Sequence, residues 1–264
     1  MAASSDHSAR ARVWVAFLLL FVFVAAVSVG VYYLSKLQEM VAALEGRTAL
    51  DAINNAEELD AALARHPSNR FLKLIATATR AGIETRAATE KLSQEIEPPA
   101  LSKDINQATA SRNELEALRR DLKTAEANAT SFLPRYLALV KAERDGLEAY
   151  ARSLNLEKDV LSRFMDRIDT RQADIAAVTS DLMSARAEYY SAYEKCAAVL
   201  VADFGIYKVT NGQFVFPLQY MANRYNAAAG AKAAAAKRIA ELEEKQRTLM
   251  QPSPKAWAQF VSGE

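Results

Sequence analysis

The hydrophobic pattern opens with one unbroken apolar block and then settles into helical spacing for most of the chain. Val13 to Leu34 reads VWVAFLLLFVFVAAVSVGVYYL and carries no charge. At the α-helical rise this segment reaches about 33 Å, enough to cross the hydrocarbon core of a bilayer. Trp14 stands near one end and Tyr32 and Tyr33 at the other, where aromatic belts form. A cleaved signal peptide is the competing reading, with Ala26-Val27-Ser28 as the cut, but the length and flanks of the block favour a retained anchor. Leu37, Met40, Val41 and Leu44 come next at helical spacing, so the anchor is expected to continue as an amphipathic helix.

Helical periodicity dominates the rest of the chain. One helix is expected to run to about Ala64 and to end at His66-Pro67-Ser68, because proline cannot continue the hydrogen-bond ladder. Phe71, Leu72, Leu74, Ile75 and Ala78 open the next, expected to reach Ile96 and to stop at Pro98-Pro99. Ser102 is the expected N-cap of a third helix. Its face is marked by Ile105, Ala108, Leu115, Leu118 and Leu122, with Arg112 interrupting once. Pro134 is expected to interrupt or restart this helix near Ser131, after which Leu137, Val140, Leu147 and Tyr150 carry the pattern on.

The clearest periodic signal lies between Leu156 and about Ala202. Leu161, Ile168, Ile175, Leu182, Tyr189 and Cys196 fall seven apart, and Phe164, Arg171, Val178, Ala185, Ala192 and Val199 follow each by three. Only Arg171 breaks this heptad seam, which predicts one helix of about 70 Å. Its expected partner is a helix from Leu218 to Met250, with Met221, Tyr225, Ile239, Leu242 and Leu249 facing inward. The alanine-rich middle, Ala227 to Ala236, would let two helices approach closely.

Between these two helices the period changes from 3.6 to 2. In GIYKVTNGQFVFP, Gly205 to Pro217, Ile206, Lys208 and Thr210 alternate with Tyr207 and Val209, and Phe214 and Phe216 alternate on the return. Asn211-Gly212 is a strong hairpin signal, since a type I′ turn requires positive φ at both central residues. A short β-hairpin over about 205–217 is predicted, and a two-stranded ribbon must pack on the helices or on a partner. Tyr207, Asn211, Gly212, Phe214 and Phe216 form one candidate contact surface, because aromatic side chains are enriched at interfaces. Trp257 and Phe260, in the tail after Met250, form another.

Composition narrows the function classes. Gly (8) and Pro (7) are scarce, so turns are few and elements long. Beyond the N-terminal flank, basic and acidic residues are equal in number, which gives no support for the basic face that nucleic-acid binding requires. The single cysteine, Cys196, excludes an internal disulfide; its place on the apolar stripe implies a buried thiol, with a bridge between two copies as the alternative. One Cys and two His, His7 and His66, leave no zinc ligand set. No glycines are spaced to cradle a phosphate, and carboxylate pairs such as Glu57-Glu58 and Glu243-Glu244 fall on polar helix faces. No cofactor is implied.

Asp203-Phe204-Gly205, Val209, Asn211-Gly212, Phe216-Pro217 and Tyr225-Asn226 resemble a pattern found in a family of uncharacterised bacterial envelope lipoproteins. The resemblance covers about residues 203–226 and implies a mostly helical envelope protein, with no activity to carry over. The chain departs from that family in having no cysteine near its N-terminus for lipid attachment.

These features combine into an all-α protein. Residues 1–12 form a short cytoplasmic tail, 13–34 a transmembrane anchor, 35–250 a helical extracytoplasmic domain and 251–264 a flexible tail. The helical domain is expected to be an elongated bundle or antiparallel coiled-coil hairpin bearing one short β-hairpin. Arg10 and Arg12 before the anchor set the N-terminus inside, which places the domain in the periplasm of a bacterial inner-membrane protein. The expected function is non-enzymatic: a scaffold or protein-interaction module, including self-association, working through helical surfaces. A helical domain that binds or senses a ligand or lipid is the alternative.

Overall fold

A computed structural model describes residues 41, 56–101 and 106–250. The expected anchor (13–34), the segments 1–12 and 251–264, Ser102, Ile105, Trp257 and Phe260 lie outside the described residues. Among those described, the chain forms five α-helices and one two-stranded antiparallel ribbon: α1 (Ala56–Arg65), α2 (Arg70–Gln94), α3 (Arg112–Ser153), α4 (Lys158–Ala202), β1 (Lys208–Thr210), β2 (Gln213–Val215) and α5 (Gln219–Met250). None of these helices is long and apolar enough to cross a membrane. The described residues divide into two compact units within α2, after Ala76.

In the first unit α1 buries Leu59 and Ala62, and the opening turns of α2 bury Phe71, Leu72, Leu74 and Ile75. The break at His66-Pro67-Ser68 falls where proline predicted it. Asn69 caps α2, its side-chain oxygen accepting the Leu72 amide at 3.0 Å.

In the second unit α4 lies between α3 and α5, antiparallel to both. Side-chain pairs give the register. On one flank Arg119 of α3 meets Glu194 of α4 at 2.8 Å, and Arg144 meets Asp169 through two hydrogen bonds of 2.7 and 3.1 Å. On the other, Lys232 of α5 stands over the Tyr193 ring, Arg238 faces Glu188, and Arg186 meets Glu243 at 2.8 Å. These part-exposed ion pairs each contribute little. Burial between the helices holds them: Leu118, Leu122, Ala125, Ala129, Phe132 and Tyr136 of α3 pack with Leu182, Met183, Tyr190 and Ala197 of α4, and Ile239 and Leu242 of α5 close over the same core.

The seam read from the sequence is buried or half-buried in α4 at every position except Arg171, which is exposed. Cys196 is only 3% exposed, as the apolar stripe implies. From about Ile175 onward the seam stretch of α4 runs alongside α5, as expected. The buried face of α4 is nevertheless wider than a heptad seam, because Thr179, Met183, Tyr190 and Ala197 also turn inward, next to α3. Alanine brings α5 close, with Ala228 and Ala235 buried.

Two expectations for α3 are corrected. The helix begins at Arg112, and its N-cap is Ser111, so Ala108 sits in the preceding turn. Ser111 and Glu114 make a full capping box: the Glu114 amide donates to Ser111 Oγ, and the Ser111 amide donates to the Glu114 carboxylate at 2.7 Å. Pro134 neither interrupts nor restarts the helix; α3 runs through it to Ser153. Proline costs the ladder one amide, but Pro134 is exposed, so the Thr130 carbonyl it leaves unmatched faces water. Phe132 and Tyr136, buried on the opposite face, keep the flanking turns against α4. The segment between α2 and α3 is tied down by Asn128, which donates to the backbone carbonyls of Glu95 and Ile96 at 2.9 and 3.3 Å. Tyr190 adds a hydrogen bond of 2.5 Å to Glu97.

Candidate functional site

The ribbon forms where the period changed. Lys208 pairs with Val215, Val209 with Phe214 and Thr210 with Gln213. Asn211 and Gly212 take φ of 52° and 75°, the two positive values that a type I′ turn needs. Because side chains alternate along a strand, this register puts Tyr207, Val209, Phe214 and Phe216 on one face and Ile206, Lys208, Thr210, Gln213 and Val215 on the other.

The first face turns toward the helices. Tyr207, Phe214, Phe216 and Tyr225 of α5 form a closed circuit of rings, with centroids 5.4 Å apart for Tyr207–Phe214, 5.2 Å for Phe214–Tyr225, 5.5 Å for Tyr225–Phe216 and 5.8 Å for Phe216–Tyr207. Tilted and edge-on rings at this spacing attract one another beyond the area they bury. Beneath them lie Leu115, Leu200 and Val201, with Ala110 at the margin. Burial raises the hydroxyl pKa of both Tyr207 and Tyr225. This cluster ties a ribbon that could not stand alone to the end of α4 and the start of α5.

Tyr207, Phe214 and Phe216 are therefore half-buried and brought together, while Asn211 and Gly212 are exposed at the turn and serve its geometry. The surface available to a partner is built from other residues. Nine large hydrophobic side chains are exposed among the described residues, and six of them fall between residues 204 and 220: Phe204, Ile206, Val209, Val215, Leu218 and Tyr220. Ile206 and Val215 are each 51% exposed on the outer face of the ribbon, and Tyr220 reaches 56% on the first turn of α5. Lys208 lies opposite Val215 on the outer face, and Arg224 lies one turn beyond Tyr220 on α5. Alternation, the same signal that predicted the ribbon, assigns Ile206 and Val215 to the outer face once the aromatic set is taken as the inner one, whereas Val209 shares the inner parity and is still exposed.

Other chemistry is sparse. Among the described residues no group of three His, Cys, Asp or Glu side chains is placed to hold a metal ion. Glu143 of α3 is pushed up from the ordinary carboxylate range by burial, with a hydrogen bond from Thr85 and the charge of Arg171 opposing the shift. Asp203, at the end of α4, is buried, and its Oδ2 has no hydrogen-bond partner. No protein-family model, curated protein or solved structure matches this chain.

Proposed function

We propose that the chain is a non-enzymatic docking module of the bacterial envelope, held at the inner membrane by Val13–Leu34 with its helical part in the periplasm. It acts as a scaffold or interaction module, and its contact surface is the ribbon end of the α3–α4–α5 unit. One observation carries this reading: most of the exposed large hydrophobic side chains among the described residues collect around one short ribbon. Isolated exposed hydrophobics need no explanation, whereas a contiguous group on an otherwise charged surface is the usual mark of an interaction site. The antiparallel register of three long helices suits a spacer, since it sets the ribbon at one end of α4, about 67 Å from the other by helical rise.

Photo-crosslinking in intact cells tests the reading. A benzoylphenylalanine at Val215 is expected to give a defined cross-linked product, while the same group at exposed Lys141, in the second half of α3, gives none. Equal yields from both positions would remove the ribbon end as a special surface.

A further inference from the structure

Resting on that reading of the ribbon end, we propose that the surface it meets is an anionic lipid bilayer, with the apolar side chains entering the headgroup boundary and Lys208 and Arg224 meeting the phosphates.

The charge pattern around the ribbon suits such a surface. From Phe204 through Ala240 the chain holds Lys208, Arg224, Lys232, Lys237 and Arg238 and no acidic residue, where its average acidic content would place about four. Lys232 is spent on the Tyr193 ring, and Lys237 and Arg238 pair with Glu241 and Glu188. Lys208 and Arg224 are exposed and make no ion pair among the described residues. Among the described residues, the acidic groups on the neighbouring helix ends are either paired or buried. Glu114 closes the capping box, Glu116 pairs with Arg112, Glu194 pairs with Arg119 and Lys123, and Asp203 is buried. Among the described residues the ribbon end thus offers two unpaired cations beside apolar side chains, and its one unpaired carboxylate, that of Asp203, is buried away from the surface.

The arrangement favours lipid over protein. A second copy docked on this surface by two-fold symmetry would bring the same two cations again into one interface, with no exposed acidic partner described beside them. Phe204, Ile206, Val215, Leu218 and Tyr220 issue from three neighbouring segments: the turn after α4, the outer face of the ribbon and the start of α5. A fluid interface demands no shape match. It does demand apolar groups, nearby cations and the exclusion of acids, and it suits a tyrosine whose ring is apolar and whose tip is polar.

The test uses the full chain in phosphatidylcholine nanodiscs, captured on beads through an N-terminal tag and exposed to fluorescent vesicles. Vesicles of phosphatidylcholine mixed two-to-one with phosphatidylglycerol should be retained, pure phosphatidylcholine vesicles should not, and retention should fall as salt is raised. Each basic side chain near an anionic surface is worth about fivefold in partition, so the exposed double reversal Lys208→Glu/Arg224→Glu should cut retention more than tenfold. Ile206→Ser/Val215→Ser should lower it as well, with unchanged circular dichroism in both variants. Equal retention of the two vesicle types, or indifference to both double substitutions, overturns the inference. If vesicles are not retained but Val215 still cross-links to a protein in cells, the lipid inference fails and the contact surface stands. If neither occurs, both fail.

Discussion

Gln246 of α5 donates its side-chain amide to the hydroxyl of Thr179 on α4 at 3.0 Å, and Thr179 is only 1% exposed. The same hydroxyl tempers the upward pKa shift that burial gives Tyr136 of α3, so Thr179 stands beside both neighbouring helices at one level. The apolar contacts of the interface tolerate sliding by a turn far better than a buried polar contact does, and the ion pairs along it are part-exposed. A buried polar group instead is costly when its partner is out of reach, so Thr179 selects one register.

Thr179→Val keeps the shape and removes the hydroxyl. It should lower stability by about 1 kcal/mol, because the Gln246 amide loses its partner. Urea unfolding measures this. The cost should shrink when Gln246→Ala is already present, and full additivity of the two changes would show that the hydrogen bond contributes nothing.

Ser111→Ala should cost about 1 kcal/mol, the usual value of a side-chain N-cap. It should also change the acid limb of the stability curve. Hydrogen bonds from the Ser111 backbone and side chain hold the Glu114 carboxyl below its ordinary value of 4.5. A depressed folded-state pKa gives stability that is present above the unfolded value and is lost as pH falls through the folded one. The native chain should therefore lose stability between about pH 4.5 and lower values more steeply than Ser111→Ala does, as read by thermal unfolding across that window.

Half of the ten tyrosines should resist ionisation. Burial raises the pKa of Tyr136, Tyr189, Tyr190, Tyr207 and Tyr225, and for Tyr190 the hydrogen bond to Glu97 adds to the effect. An acid with a raised folded-state pKa holds its proton longer when native, so stability should decline as pH rises past the ordinary tyrosine value of 10. Ultraviolet titration should show these five ionising late, or together with unfolding. Ten equivalent tyrosines titrating near the ordinary value would contradict the packing described around Tyr190 and Tyr225.

Pro134→Ala should stabilise the chain by about 1–3 kcal/mol, since α3 passes through an exposed position that proline fits poorly and alanine fits best. Gly212→Ala should do the reverse by about 1 kcal/mol: φ at this position is positive, and an added Cβ meets no neighbour, so the cost is backbone strain alone. Differential thermal unfolding distinguishes the two signs.

Much of the fold was legible in the sequence because its periods are clean. The heptads of α4, the stop at His66-Pro67-Ser68 and the Asn211-Gly212 turn each state a geometric requirement that few alternatives meet. What was hard to read depended on which face a residue occupies. Pro134 looks like a breaker until it is known to lie on the solvent side. A strict heptad count passes over Thr179, Met183 and Tyr190, because a helix packed between two neighbours buries a wider arc than a seam. Ser111-Arg112-Asn113-Glu114 is a capping box in plain spelling, yet Ser102 lies nearer the preceding prolines and competes for the same role. At the ribbon, aromatic content points to Tyr207, Phe214 and Phe216, whereas exposure falls on Ile206 and Val215, the other parity of the same strands.

Docking through the ribbon end requires that this surface be covered in the chain's own setting, and thiol accessibility measures this directly. The one natural cysteine, Cys196, is buried, and burial pushes its thiol pKa up, so it should stay silent toward maleimide. A cysteine placed at Val215 is then the reporter, with one at Lys141 as the exposed control. Val215→Cys should label as fast as the control in the purified protein and at least tenfold more slowly in intact cells. Equal labelling of both positions in cells would mean that nothing occupies the ribbon end, and the docking reading would fall.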